Sequence, residues 1–231
     1  MNNKELNFSL ENLNENKTIQ LARLYAQVFA APPWNEVVKC DNCQQFQGYG
    51  TSLGDKCDDC GGTFREAYPL VETSNYIAKE SRKPGYRIAT AESGSNLIAF
   101  SWSYLTTPLE LALSKWSTPK NQMIAIDILR QQGLQDNSPI RYLSETAVNP
   151  EYRNQGLASQ LRSETTGPEI TIARTNCLSP MTAINYKQGF TQIMGPRVMV
   201  FRQSQILLPT AEVVNCLDPG NSSRVLFIKK P

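Results

Sequence analysis

Residues 144–164 read "SETAVNPEYRNQGLASQLRSE". "SETAV" closes an apolar strand, Pro150 turns the chain, and a helix begins inside Arg153-Asn154-Gln155-Gly156-Leu157-Ala158. A strand that passes through a glycine turn into a helix aims several backbone N–H groups at one point, with the positive end of the helix dipole behind them. Gly156 lets a ligand approach the backbone, and small Ala158 keeps the next turn unobstructed. Arg153 can add a charge-assisted contact. Together these features suit a phosphate. Alone, Arg-x-x-Gly-x-Ala also fits an ordinary strand-to-helix connection, so the flanking elements must discriminate.

Downstream come a strand "EITIART", a helix "PMTAINYKQ", and strands "FTQIM" and "RVMVFRQ". Ser179 followed by Pro180 is a helix start, an N-cap with proline at the first helical position. Upstream, "YRIATAES" and "LIAFSWSYL" alternate as strands and are joined by a Gly-Ser-Asn turn, a hairpin. Residues 107–138 are helical in tendency, with Gly133 ending "NQMIAIDILRQQG". After a short strand "LNFSL", Leu21, Leu24, Tyr25, Val28 and Phe29 fall on one helical face, and Pro32-Pro33 stops that helix. "PLVETSNYIAKESRK" reads as a second helix with Val71, Tyr76 and Ile77 inward. Residues 204–231 read as a C-terminal extension containing a hairpin. Early hairpins followed by strand–helix alternation imply a mixed sheet in an α/β (α+β) architecture.

With these neighbours, the glycine turn resembles the acetyl-CoA-binding motif of the GNAT superfamily of N-acetyltransferases, Arg/Gln-x-x-Gly-x-Gly/Ala. Val148-Asn149-Pro150 resembles the step that ends the preceding strand in that family. "LARLYAQVFAAPPWNE", the hairpin 86–105 and "IARTN...INYKQGF" follow in the family's order. The resemblance implies a GNAT-like domain over residues 1–203, with a mixed central sheet flanked by helices. It implies acetyl-CoA as cosubstrate, its pyrophosphate held by backbone amides of Asn154, Gln155, Gly156, Leu157 and Ala158 beside Arg153. The main chain at Ala147 and Val148 would pair with the pantetheine arm. The implied reaction is direct attack of an amine on the thioester. Glu145 is then the candidate base, since burial in an apolar strand favours a carboxylate that takes a proton near neutral pH. The other reading of Glu145 is a structural carboxylate. The family often places a tyrosine five positions before the Phe of "GF" as donor to the leaving thiolate. Here Asn185 stands there, with an amide N–H that could hydrogen-bond the sulfur but is a poor proton source, and Tyr186, the candidate acid or else a packing residue, follows one helical step of about 100° away.

"CDNC" at 40–43 and "CDDCGG" at 57–62 give two Cys-x-x-Cys pairs with thirteen residues between them. Two such knuckles bring four thiolates together tetrahedrally, which points to a structural Zn²⁺ on Cys40, Cys43, Cys57 and Cys60; an iron centre is the alternative. Residues 36–66 thus resemble a zinc ribbon inserted into the domain, folded by its metal and placed to shape the acceptor site or dock an acceptor. Cys177 and Cys216 lack a paired spacing and read as small buried apolar groups.

The chain has 231 residues, six cysteines, no histidine and a formal net charge of +2. Catalysis must therefore proceed without imidazole. The near-neutral balance disfavours a nucleic-acid partner, and no apolar run approaches a membrane span. The polar N-terminus lacks the apolar core of a signal peptide, so the expected location is the cytoplasm, with thiols reduced. The expected partner is an amine, small-molecule or peptide, and sheet edges in the C-terminal extension could pair two copies into a homodimer. The competing function is a non-catalytic CoA-binding or zinc-ribbon interaction protein, favoured by the missing tyrosine.

Overall fold

The computed structural model describes residues 6–10, 13–200 and 207–231. In chain order the elements are β1 (Leu6–Leu10), α1 (Glu15–Ala30), β2 (Val38–Cys40), β3 (Phe46–Gln47), β4 (Phe64–Glu66), α2 (Leu70–Glu80), β5 (Arg87–Ser93) and β6 (Asn96–Thr106). There follow α3 (Pro108–Lys115), α4 (Pro119–Gln131), β7 (Ile140–Val148), α5 (Leu157–Thr165), β8 (Thr171–Asn176), α6 (Pro180–Lys187), β9 (Thr191–Val200), β10 (Leu207–Val214) and β11 (Arg224–Lys229). Eight strands form a mixed sheet in the order β1-β5-β6-β7-β8-β11-β9-β10, and β3-β2-β4 form a small separate one. The parallel pair β7–β8 is joined by α5, as a parallel connection requires a crossover element.

The chain divides into two compact units, the first comprising residues 1–82, 88–100 and 146–161, the second the remainder. In the first, α1 starts at Asn14, whose side chain accepts from the Lys17 N–H at 2.8 Å. It buries Leu21, Leu24, Tyr25, Val28 and Phe29, the face its periodicity predicts. Tyr25 meets Phe29, Tyr68, Tyr76 and Phe100 with ring centroids 4.3–6.2 Å apart, an aromatic layer holding α1 to its neighbours. On α2, Ile77 is buried as expected, but Val71 is 72% exposed and does not face inward. Val71 lies in the first turn, six residues before Ile77, and about 600° of helical rotation separates their directions.

In the second unit, Thr107 caps α3 in a capping box with Glu110, and Thr118 caps α4. These two helices bury Leu111, Trp116, Ile126 and Leu129 against Ile140 and Ile172 of the sheet. Each such side chain contributes about 1.5–3 kcal/mol through burial. The C-terminal segment departs from the expected hairpin. β10 and β11 do not pair with each other: β10 pairs β9, while β11 pairs both β8 and β9. Inserted between those strands, β11 buries Val225, Leu226, Phe227 and Ile228 and completes the sheet. It is therefore part of the domain and not an extension. A local pattern reveals that a strand exists but not its neighbours. The expected boundary at 203/204 lies outside the described residues. "FTQIM" and "RVMV" form one strand, β9, which passes through Gly195 at φ 103°. An added Cβ there would lie 2.4 Å from the Arg224 carbonyl oxygen.

The loop before β11 is held by Asp218. Its side chain is fully buried and accepts from Trp116 Nε1 at 3.0 Å, from Arg174 Nε at 2.7 Å and Nη2 at 3.0 Å, and from the Gly220 and Asn221 amides. Burial opposes the charged form of Asp218, but these hydrogen bonds and the Arg174 charge hold its carboxyl below the usual range. A depressed carboxylate contributes stability that is present above its unfolded pKa of about 3.9 and lost as pH falls through the folded value. Asp218→Asn is expected to cost about 3 kcal/mol in urea unfolding at neutral pH, because it leaves Arg174 without its counter-ion. The variant should also show a shallower loss of stability than the parent as the pH falls from 6 to 3. Equal pH slopes for the two proteins would show that Asp218 does not carry this term.

Candidate functional site

Within the first unit, the Asn149 N–H donates to Ile98 O at 2.8 Å, and its side chain accepts from the Glu151 N–H at 3.2 Å. This closes one 3-10 turn over Pro150–Tyr152. Asn154 then takes φ 65° and Gly156 φ 81°, so left-handed residues curl the chain just before α5. Alternating backbone conformations of this kind turn successive N–H groups toward one side and make an anion-binding concavity. Among the described residues, the amides of Asn154, Gln155, Gly156, Leu157 and Ala158 donate to no protein acceptor. The first residues of a helix always lack backbone partners, but here the open run extends back into the turn. A Cβ built on Gly156 meets nothing within 4 Å, so the glycine serves its positive φ and the space beside it is open.

The run is fixed in place by packing. Leu157 and Leu161 of α5 are buried with Val148 against Ala89, Ala91, Ile98 and Ala99. The three alanines let the helix approach the strands closely. Arg153 donates through Nε to Val148 O at 3.2 Å and through Nη1 to Pro32 O at 2.5 Å. Two of its donors are thus spent on carbonyls that tie the turn to the end of β7 and to the segment after α1. Ala147 and Val148 bury their side chains and have extended backbone.

Within the second unit, the parallel register of β7 and β8 covers Arg141–Leu143 against Thr171–Ala173 and goes no further. Glu145 lies beyond its end and is half-buried. Strand alternation puts it on the Leu143 face of β7. Leu143 packs in one cluster with Phe190, Phe227 and Tyr186. Glu145 and α6 therefore share a face of the sheet in this unit.

The adjacent residues Asn185 and Tyr186 diverge, as a helical step demands. The Tyr186 hydroxyl donates to Gln192 Oε1 at 2.6 Å, and its ring meets Phe227 edge-on at 5.2 Å. The Gln192 amide group donates to the Met194, Gly195 and Pro196 carbonyls, so its oxygen is held toward Tyr186. Burial pushes the phenol up. Tyr186 thus packs with its proton committed to Gln192. Asn185 is fully buried, and its Oδ1 accepts from Arg162. Arg162, on the inner side of α5, is the residue that pattern reading misses. Its signal was faint: Ala158, Arg162 and Thr165 repeat at i, i+4 and i+7, a stripe parallel to Leu157 and Leu161. Burial raises the Cys177 and Cys216 thiols, in keeping with apolar roles.

Residues 38–66 build a separate centre in the first unit. The sulfurs of Cys40, Cys43, Cys57 and Cys60 all lie within 4.8 Å of one another. Cys40–Cys60 and Cys43–Cys57 are 3.4 and 3.8 Å apart, and none of the four is in a disulfide. A tetrahedron with arms of about 2.3 Å has edges of about 3.8 Å. The two knuckles repeat each other in the backbone. Cys40 and Cys57 N–H donate to Gln45 O and Gly62 O, and Gln44 and Gly61 N–H donate back to Cys40 O and Cys57 O. Gln44 and Gly61 both adopt positive φ, 62° and 69°. Glycine marks one of these turns in the sequence; glutamine hides the other. A Cβ on Gly62 would fall 2.7 Å from Cys40 Sγ. The Gly62 amide lowers the Cys60 thiol to about 6, while burial raises the Cys57 thiol.

No protein-family profile matches the chain, and no curated protein matches it. Solved structures do. An agmatine N-acetyltransferase mutant superposes with a TM-score of 0.52 at 12% identity, covering 96% of this chain and 98% of that one. The chain has the GNAT fold. An acetyltransferase from Salmonella typhimurium bound to acetyl-CoA matches at TM-score 0.47 and 9% identity, over 96% of this chain and 91% of its own. The ribosomal-protein-S18-alanine N-acetyltransferase from Escherichia coli matches at 0.44 and 10%, over 96% and 92%. At such identities the likeness speaks for fold alone. Among the described residues no helix is long and apolar enough to cross a membrane.

Proposed function

We propose that the protein is an acetyl-CoA-dependent N-acetyltransferase with a structural Zn²⁺ in its cysteine ribbon. The observation that carries the cofactor half is the run of five backbone N–H groups, Asn154 to Ala158, which find no acceptor among the described residues at the mouth of α5. A pyrophosphate supplies the acceptors that such a run lacks, and the helix dipole favours its charge. The extended main chain at Ala147 and Val148 pairs with the pantetheine arm as an added strand would. The acceptor is a primary amine, small-molecule or peptide, and the reducing compartment in which four thiols stay free is the cytoplasm.

In the reaction the amine nitrogen bonds to the thioester carbonyl carbon, the C–S bond breaks, and the electron pair leaves on sulfur. The amine sheds one proton, for which Glu145 is the base, directly or through water. Most of the barrier reduction then comes from positioning. Cys40, Cys43, Cys57 and Cys60 would hold the zinc, which would then supply fold and not chemistry. A second reading, a non-catalytic CoA-binding protein, draws on Tyr186, whose hydroxyl is committed to Gln192.

Calorimetry should find acetyl-CoA bound with micromolar affinity. Gln155→Glu, which sets a carboxylate at an exposed position of the turn, should weaken binding about tenfold, or ~1.4 kcal/mol. No detectable binding of acetyl-CoA or CoA would reject the reading. In an amine screen with thiol detection, Glu145→Gln should lower kcat by about 10²–10⁴ while acetyl-CoA affinity is retained. Equal turnover in the two proteins would remove Glu145 as base, and no turnover on any amine would favour the second reading. Elemental analysis of chelator-free protein should give one zinc per chain. Cys57→Ser should lose it, with amide exchange accelerating across residues 38–66 and the large sheet unaffected.

A further inference from the structure

Within the first unit, the glycine turn and the cysteine ribbon hold the two ends of one short segment. Residues 31–37 leave α1 in a turn, with the Trp34 and Asn35 N–H groups donating to Ala31 O at 3.1 and 3.2 Å. Near its start, Pro32 O accepts from Arg153 Nη1 at 2.5 Å, and Arg153 Nε reaches Val148 O at 3.2 Å. At its end, the Val37 N–H donates to Gln47 O at 2.9 Å, and Val37 O accepts from the Ala67 N–H at 3.3 Å. The ribbon also backs onto the middle of the segment. A Cβ built on Gly48 would stand 3.0 Å from both Cβ and O of Asn35, so glycine permits this approach.

The ribbon has little core apart from its sulfurs. Cys40 and Cys57 are buried with Val38 and Phe64, and Cys43, Cys60 and Val37 pack against them. A group this small takes its folding free energy from a metal. The ribbon is therefore a two-state element. With a cation on its four sulfurs, Gln47 and Gly48 are fixed in place; without one they are released. The turn has a complementary need. Its amides, Asn154 to Ala158, bind an anion well only while they are held in one orientation, because ordering them on binding costs affinity. Arg153 holds the mouth of that turn, and one of its two anchors lies on the segment that the ribbon holds.

We infer that Arg153 is a positioning residue that couples the two sites: with zinc in the ribbon, segment 31–37 keeps Pro32 O on Arg153, and the turn binds acetyl-CoA more tightly. The inference rests on the acetyl-CoA and zinc readings above. Coupling between binding sites is reciprocal, so bound CoA raises the zinc affinity by the same factor. That factor is at the lower end of such effects, about fivefold. The Glu36 N–H also donates to Phe29 O at 2.9 Å, which keeps part of the segment on α1 whatever the ribbon does.

The test is calorimetric titration of the whole chain with CoA, zinc-loaded and chelator-stripped, for the wild type, Arg153→Met and Gly48→Leu, with zinc content measured in each. Stripping should weaken CoA binding about fivefold in the wild type. It should leave the already weakened affinity of Arg153→Met unchanged, as expected when both changes break one link. Gly48→Leu, which replaces neither a sulfur ligand nor a residue of the turn, should keep its zinc and bind CoA about as weakly as the stripped wild type. In the wild type, CoA should raise the zinc affinity about fivefold, read by competition with a chromogenic chelator. Should Arg153→Met bind too weakly to titrate, Gly48→Leu carries the comparison. Equal CoA affinity in the loaded and stripped wild type overturns the inference and leaves both site readings intact. So does a zinc effect that persists in Arg153→Met. A loaded wild type that binds no CoA defeats the cofactor reading, and a chain that binds no metal defeats the zinc reading; either result takes this inference with it.

Discussion

A helix cannot satisfy its own first N–H groups, and at α5 the protein leaves that deficit open while anchoring everything around it. Leu157 and Leu161 are buried against alanine-bearing strands, and Arg153 ties the turn to Val148 and Pro32. The amides of Asn154 to Ala158 are consequently fixed in direction but, among the described residues, unmatched in hydrogen bonding. Preorganised donors of this kind need no rearrangement to take an anion, and on that ground the turn carries the cofactor half of the proposed function.

The same helix carries a second, deeper deficit. Four residues beyond Ala158, Arg162 is sequestered among Asn185, Gln188 and Phe190, none of which is charged. Elsewhere the fold compensates its buried charges. Arg141 has Glu169, and Asp218 has Arg174, Trp116 and two backbone amides. Set beside these pairs, Arg162 has only neutral partners among the described residues. In the first unit the sulfurs of Cys40, Cys43, Cys57 and Cys60 converge within 4.8 Å of one another, a geometry compatible with a metal ion.

Much of this was readable in the chain because it is local. The buried face of α1, the Ser179-Pro180 start of α6, the glycine turn and the cysteine spacing follow from helical periodicity, capping chemistry and knuckle geometry. What failed to appear was non-local or one helical step too fine. Val71 looks apolar and inward but sits on the open side of the first turn of α2. The tail reads as a hairpin, whereas β11 slots between β8 and β9, a pairing set by partners dozens of residues away. The partner of the Tyr186 hydroxyl, Gln192, was likewise not legible, because it lies on the next strand.

By itself the sequence determined that a glycine turn follows an apolar strand and opens a helix, that four cysteines stand in two Cys-x-x-Cys pairs, and that the chain holds no histidine. These depend on residues a few positions apart, whose geometry the backbone imposes. Only the tertiary structure decided that, among the described residues, Arg162 lies inside with neutral partners and Asn185 Nδ2 finds no acceptor. Both facts depend on α5 and α6 being packed together, and the burial of a charge or an amide is a property of the neighbours brought around it.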